Sequence, residues 1–532
     1  MTIAFNSGFS FSICNKCAER SSRALNSPAS NKSRISNALS SHRVSSLTST
    51  FDHTSNKPGA KTSQSQYQKL STTDWREIYD SWMATNREQR TATTVELLQT
   101  MIQNACVNDG TADSGNEVLN SDALETFLEG PGIDIETFEP HPGRKSLVAR
   151  IEGSDANAPS LCLMGHTDVV PVNPDGWSRD PFGGELIDGE VWGRGAVDML
   201  NLTASQAVAF KHLAETGFKP KGDFIYFAVA DEESGSAHGA QWMADHNREA
   251  IMADYVLTEN GGLHGGTSDS PHVGINVGEK GVAWRRLRVK GTPGHGSAPF
   301  KSDNALVRAA AVVQRLAEYR PPAQFHELWR QQVETLDVDQ ETKSIMLDPN
   351  LIEDWLDAHP VEGLARHFYS CTHTTFSPNV AEAERRMKTN VIPDQIDINV
   401  DIRTLPGESS AEVQAHLERA LGELVNEVDI DIIMNDPASI SRMDNPMWDT
   451  IQKAVNQPFP NVRLSPQLIV GFTDARVYRN LGAVAYGAGL FSPELKSSDF
   501  MSRFHGHDER IDVESLSLST QFWLDVSNDF LT

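Results

Sequence analysis

Residues 160–168 read Ser-Leu-Cys-Leu-Met-Gly-His-Thr-Asp, a short apolar run passing straight into a glycine, an imidazole and a carboxylate. A run of this length, apolar throughout and closed by a turn signal, predicts a buried strand. The design recurs twice downstream. Phe224–Ala230 leads into Asp231-Glu232-Glu233-Ser234-Gly235, and Tyr255–Leu257 leads into Thr258-Glu259-Asn260-Gly261-Gly262. Between the first two lies a stretch of helical character, Leu202–Glu215, stopped at Gly217. This alternation predicts an α/β sheet with helices on both faces.

Further out, Asp74–Ile102 places Trp75, Ile78, Trp82, Val95, Leu98 and Met101 at helical spacing, opening the folded region with a helix. Past Val273 the pattern changes. Gly274–Lys290 predicts two strands joined near Gly278–Gly281, and a helix follows over Asn304–Tyr319. A charged, helix-rich segment runs on to about His373. Gln395–Arg403 turns Ile396, Ile398, Val400 and Ile402 inward, and a helix over Ala411–Asn426 and a strand over Val428–Met434 complete a small α+β domain. From Ser439 to Thr532 helices and strands alternate again, with a strand at Ala483–Gly487. The expected order is therefore an α/β domain in two parts, 71–275 and 439–532, interrupted by an α+β insertion over 276–438.

The 532 residues include 46 Lys+Arg and 72 Asp+Glu, a formal net charge of −26, which argues against nucleic acid or an anionic membrane as partner. Residues 1–70 run the other way, with nine Lys/Arg, two acids and 17 serines, so the remainder carries −33. With no sustained apolar period this segment is expected to be a disordered basic leader. A cytoplasmic location is the first expectation, with organellar import by the leader as the alternative. The Cys14/Cys17 pair lacks further zinc-ligand partners, and Cys162 reads as a packing residue.

Four places bring metal-ligating residue types to strand ends or loop turns: His166 with Asp168, Asp198 in Gly193-Arg194-Gly195-Ala196-Val197-Asp198-Met199, the Glu232-Glu233 pair, and Glu259. Ligands of open α/β sheets bind outside the carboxyl ends of the strands. Imidazole with several carboxylates suits zinc-like ions, and two metals need a carboxylate that can bridge them. An Asp two residues after a His can bond its far ring nitrogen, and adjacent glutamates in a turn point different ways, one at a metal and one at the attacking water.

These residues resemble the metallopeptidase family of acetylornithine deacetylase, succinyl-diaminopimelate desuccinylase, aminoacylase and carboxypeptidase G. The resemblance is carried by GHTDVVP (165–171), GRGAVDM (193–199), DEESGS (231–236), GHGSAP (294–299), NVIP (390–393) and HGHDE (505–509). It implies a metal-dependent exopeptidase-like catalytic sheet with helices on both faces, interrupted by an inserted α+β lid and dimerisation domain. It also implies two divalent metal ions, most naturally zinc, with cobalt or manganese as alternatives. His166, Asp198, Glu233, Glu259 and His505 would ligate them, with Asp198 bridging and His507 as the near alternative to His505. Asp168 would orient His166, Glu232 would be the general base, and His295 would stabilise the oxyanion. Asn390, Arg403, Gly471 and Thr473 would contact a small substrate bearing a carboxylate.

The chain departs from the family pattern at Leu200, Asn260 and Phe472, where lysine, a glycine or proline, and glycine are usual. The long segment from Gln324 to His373 resembles the larger, carboxypeptidase-like branch, favouring dipeptides or N-acyl amino acids. A dedicated small-molecule deacylase or amidohydrolase is the second expectation, and a non-catalytic binding protein the third. A homodimer through the lid is the expected assembly.

Overall fold

The computed structural model describes residues 72–336, 338–383 and 386–532, and side chains in its first helix from Asn86 onward. The basic leader and the Cys14/Cys17 pair lie outside the described residues. The first helix spans Thr72–Gln103 and buries Val95, Leu98 and Met101 as expected; the side chains of Trp75, Ile78 and Trp82 lie outside those described.

The central sheet has ten strands. Asp134–Phe138 and Ser146–Ile151 form an antiparallel flank beside Phe224–Val229. Phe224–Val229, Leu161–His166, Tyr255–Thr258 and Val484–Gly487 then run parallel in that order, and Pro271–Glu279 follows. Every residue of Leu161–His166 and Phe224–Val229 is buried, because helices cover both faces. Leu161 and Leu163 pack with the helices Leu200–Glu215 and Val513–Leu531, whereas Cys162 and Met164 pack with the helices Ala240–His246 and Ala475–Asn480. The strand is one residue pair longer than the apolar run suggests, so His166 is itself the last strand residue, opposite Val229.

The two strands expected over Gly274–Lys290 exist, but on different sheets. Pro271–Glu279 stays in the central sheet, while Gly281–Val282 and Arg285–Lys290 join a second, five-stranded antiparallel sheet with Thr375–Glu382, Gln395–Thr404 and Val428–Ile432. The helices Ala305–Glu318 and Ser410–Leu421 cover one face of this inserted sheet, burying Ile396, Ile398, Val400 and Ile402 as their alternation requires. The expected helix over Ala411–Asn426 is shorter, closing at Gly422, whose φ of 58° continues into a 3-10 turn.

The charged segment forms four helices, Glu327–Thr335, Gln340–Met346, Ile352–Asp357 and Glu362–Thr372, around Trp329, Val333, Met346, Ile352 and Phe368. It leaves and rejoins the inserted domain but docks on the central sheet. Leu328 enters the main core, and Thr335 shares a 2.8 Å hydroxyl bond with Ser465 of the strand Arg463–Ile469. Where the chain changes sheet, Lys280 donates to the carbonyls of Ser370 (2.8 Å) and His373 (2.6 Å), closing the last of these helices.

Beside it, the buried Glu279 accepts from Arg479 (2.5 Å), from the Thr473 N–H (2.5 Å) and from the half-buried Ser439 (3.2 Å). Among the described residues no helix is long and apolar enough to cross a membrane. Replacing Arg479 by Met leaves the Glu279 charge buried and unpaired, so unfolding free energy should fall by about 3–5 kcal/mol. Urea denaturation measures this, and a loss below about 1 kcal/mol would contradict the pair's placement.

Candidate active site

Each of the expected ligands comes to one end of the central sheet. His166 ends its strand. Glu232 and Glu233 follow Phe224–Val229 through Asp231, whose φ of 66° turns the chain sharply toward the same point. Glu259 follows Tyr255–Thr258, and Asp198 lies just before the helix Leu200–Glu215. His505 follows the helix Ser497–Arg503, also with positive φ, at 56°.

The carboxylate of Asp198 lies between the two imidazoles. Its Oδ1 is 3.1 Å from His166 Nε2, and its Oδ2 is 2.8 Å from His505 Nε2. Glu259 approaches His166 Nε2 at 4.0 Å, and Glu233 approaches His505 Nε2 at 3.6 Å. Ligand atoms of His166, Asp198 and Glu233 lie within 4.8 Å of one another, as do those of His166, Glu232 and Glu259. His507 is placed otherwise, packed against Gly176 so closely that a Cβ there would sit 2.3 Å from the imidazole.

Electrostatics follow from crowding. Burial and the neighbouring Glu259 push Glu232 well above the usual carboxylate range; burial and Asp198 push Glu259 the same way and also raise Glu233. Burial opposes the charge of Asp198 too, but its two imidazole partners hold it well below the usual range. The imidazoles respond in kind: against burial, Asp198 and Glu233 lift His505 to about 10, and Asp198 and Glu259 lift His166 well above its ordinary value.

None of the four carboxylates has a Lys or Arg ion-pair partner among the described residues, and Glu233 Oε1 is buried without a hydrogen-bond partner. A donor set of two imidazoles and four carboxylates with one oxygen left over is a fit for divalent cations.

The carboxylate of Asp168 has a different task from the one expected of it. His166 Nδ1 bonds the main-chain carbonyl of Asp168 at 2.9 Å, while the carboxylate stands off at 3.5 Å. That carboxylate accepts instead from the backbone N–H groups of Glu232 (3.3 Å) and Glu233 (3.1 Å) and from Asn108 (2.8 Å). Asp168 therefore holds the glutamate turn, and its backbone sets the tautomer of His166.

Glu509, which closes the HGHDE motif, is fully buried and accepts from the N–H groups of Gly195 (3.1 Å), Val197 (2.7 Å) and Asp198 (3.1 Å). With Arg194 at 2.5 Å on its other oxygen, it shapes the loop presenting Asp198. Asn108 and the buried Arg144, which meets Glu117 at 3.1 Å and also Asp231, complete the support and carried no sequence signal.

The remaining expected residues do not join the cluster. His295 is exposed on the inserted domain, bonded to Ser297, and Asn390 is exposed nearby, its carbonyl accepting from Gly296. Arg403 is half-buried on the inserted sheet against Asp401 and the Phe472 ring. Gly471 is half-buried, but Thr473, expected at the substrate, is buried with both its N–H and its hydroxyl spent on Glu279. Leu200 packs over Gly195 and Asn260 takes a φ of 69°, so two of the departures are backbone and packing features beside the ligands.

Comparison with known proteins agrees with this geometry. The chain is 28% identical over 432 residues, 78% of its length and 82% of the relative's, to an N-fatty-acyl-amino acid synthase/hydrolase of Xenopus tropicalis. It is 31% identical over 278 residues to the succinyl-diaminopimelate desuccinylase of Gluconacetobacter diazotrophicus, covering 49% of this chain and 68% of that one. Its fold matches an M20 family metallo-carboxypeptidase from Sulfolobus solfataricus with a TM-score of 0.61 at 18% identity, over 83% of this chain and 99% of the other. The family model for peptidase family M20/M25/M40 matches residues 162–529, which include all five expected metal ligands, Asp168 and Glu232. The chain belongs to peptidase family M20/M25/M40 and is a metal-dependent amide hydrolase.

Proposed function

We propose that the protein uses two zinc ions to hydrolyse the amide bond of a dipeptide or an N-acyl amino acid with a free carboxylate. The observation that carries this reading is Asp198, each of whose oxygens faces a different imidazole. His166, Asp198 and Glu259 would hold one ion, and Asp198, Glu233 and His505 the other. When bound, such ions polarise a carbonyl and lower the pKa of water.

Glu232, whose carboxylate lies within 4.8 Å of ligand atoms of His166 and Glu259 yet outside the Asp198 bridge, takes the proton of the attacking water and returns it to the leaving nitrogen. Its raised affinity for a proton suits that return. Arg403, a permanently charged guanidinium, is the proposed partner of the substrate carboxylate.

The inserted domain, 276–438, is the proposed lid, carrying Asn390 toward the substrate. Two features support a homodimer: Phe300, Leu306, Val307 and Val391 expose apolar side chains on it, and Val391 pairs with His295 across two short strands. His295 would then stabilise the oxyanion in the neighbouring subunit's site. The named activities of the two sequence relatives, on N-fatty-acyl amino acids and on succinyl-diaminopimelate, support an acyl group on a carboxylate-bearing amine.

A panel of N-acyl amino acids and dipeptides, assayed with and without chelator, tests the proposal. Hydrolysis lost on chelation and restored by zinc is expected, and chelator-insensitive turnover would refute it. Glu232→Ala should lower kcat by about 100-fold to 10,000-fold while metal content by elemental analysis stays near that of the wild type. Asp198→Ala should lose metal as well as activity. Zinc at about 100 times its Kd should stabilise the metal-free protein by about 2.7 kcal/mol, readable as a rise in Tm, and the Asp198 variant should show little of this.

A further inference from the structure

The turn Gly471-Phe472-Thr473-Asp474 carries an aromatic ring in contact with two guanidinium groups. Arg476 Cζ lies 4.6 Å from the ring centroid and Arg403 Cζ lies 5.0 Å from it. Arg476 belongs to the helix Ala475–Asn480 on the central sheet, whereas Arg403 belongs to the strand Gln395–Thr404 of the inserted sheet. The ring therefore links the inserted sheet to the central sheet.

Arg476 is held from all sides. Its Nε donates to Asp436 (3.1 Å), its Nη1 to the Thr473 carbonyl (2.9 Å), and its Nη2 to the Gly235 carbonyl (3.1 Å), next in the chain after the glutamate turn. Asp436 lies on the return path from the inserted sheet, its N–H bonded to Val282. The Phe472 ring thus rests on a group tied to both the glutamate turn and the connection between domains.

Among the described residues Arg403 hydrogen-bonds one side chain only, and its Cζ lies 5.9 Å from the centroid of the Trp284 ring as well as 5.0 Å from that of Phe472. Nε and Nη2 reach Asp401 at 2.7 and 3.3 Å, and the Trp284 indole anchors the same carboxylate at 2.8 Å. Nη1 is buried without a hydrogen-bond partner among the described residues. A guanidinium pivoting on Asp401 needs a further contact to hold it in one direction, and the face of Phe472, nearer than that of Trp284, supplies it by cation–π attraction strengthened by partial desolvation.

We propose that Phe472 is a positioning residue that fixes the Arg403 guanidinium on Asp401, so that this cation meets the substrate carboxylate in one geometry. The proposal rests on the reading of Arg403 as the carboxylate's partner. It predicts selection for a carboxylate over a neutral end group that depends on an aromatic face at position 472, beyond the bulk of the side chain.

The test uses the full-length, zinc-loaded protein with the N-acyl amino acid that it hydrolyses fastest and the C-terminal carboxamide of that compound. KM and kcat are measured for both, with Ki replacing KM where the carboxamide turns over too slowly. Phe472→Leu keeps apolar volume without a π face; it should raise KM for the acid roughly tenfold, leave kcat within about twofold and leave the carboxamide unaffected. Phe472→Tyr should restore the acid's KM.

An unchanged acid KM in the Leu variant, or an equal rise for acid and carboxamide, overturns the proposal. So does a Tyr variant with normal Tm that behaves like the Leu variant. Arg403→Lys separates the two levels. If it leaves the preference for acid over carboxamide intact, the carboxylate reading of Arg403 fails; if it lowers that preference while Phe472→Leu does not, only the role of Phe472 fails.

Discussion

Four carboxylates within a few ångströms repel one another, and removing water strengthens the repulsion. The catalytic half of the fold is organised around bearing it. The glutamate turn is held by Asp168 through two backbone N–H groups, and the Asp198 loop is held by Glu509 through three more. These supports are themselves acidic, so each needs cationic or amide partners behind it: Arg194 for Glu509, Asn108 for Asp168, and Arg144 for Asp231 and Glu117. The charges facing the site are left for cations to neutralise, while those behind it are neutralised by the protein. That division separates residues that offer a lone pair to a metal from residues that only shape the backbone.

The second organising feature is the place where the chain crosses between sheets. Glu279 and Lys280 are consecutive and both buried, yet they face different neighbours. Glu279 gathers the Thr473 turn and Arg479, and Lys280 caps the helix that ends the charged segment. The crossing is therefore tied at once to the Gly471–Asp474 turn and to the helical segment whose first helix docks on the central sheet. Any swing of the inserted domain has to be accommodated around these contacts.

Local signals were the legible ones. An apolar run ending in Gly-His or Asp-Glu-Glu declares both a strand and the chemistry at its end within a dozen residues, so His166, Glu232, Glu233 and Glu259 could be placed from the chain alone. Alternation did the same for Gln395–Arg403. What stayed hidden depends on distant partners. Periodicity finds both strands over Gly274–Lys290 but cannot tell that they pair on different sheets, because their partners lie far along the chain. The charged segment could be read as helical but not as docked on Arg463–Ile469, and Asp168 could be read as a partner for His166 but not as a clamp on the glutamate turn. Asn108 carries no pattern at all; only the folded backbone brings it to Asp168.

The docking of the charged segment has a consequence for how the molecule is made. Arg463–Ile469 pairs with Pro271–Glu279 on one side only, and it contains Pro466, a residue tolerated in a sheet mainly at an outer strand. Such a margin invites pairing with another chain unless it is covered. Here the cover, Glu327–Thr335, precedes that strand by more than a hundred residues and belongs to the insertion. During synthesis the shield emerges before the edge it protects, so the last part of the catalytic sheet can be sheltered as soon as it forms. Deleting the insertion to obtain a minimal catalytic domain would therefore expose a β-edge and favour aggregation, whatever it did to the active site.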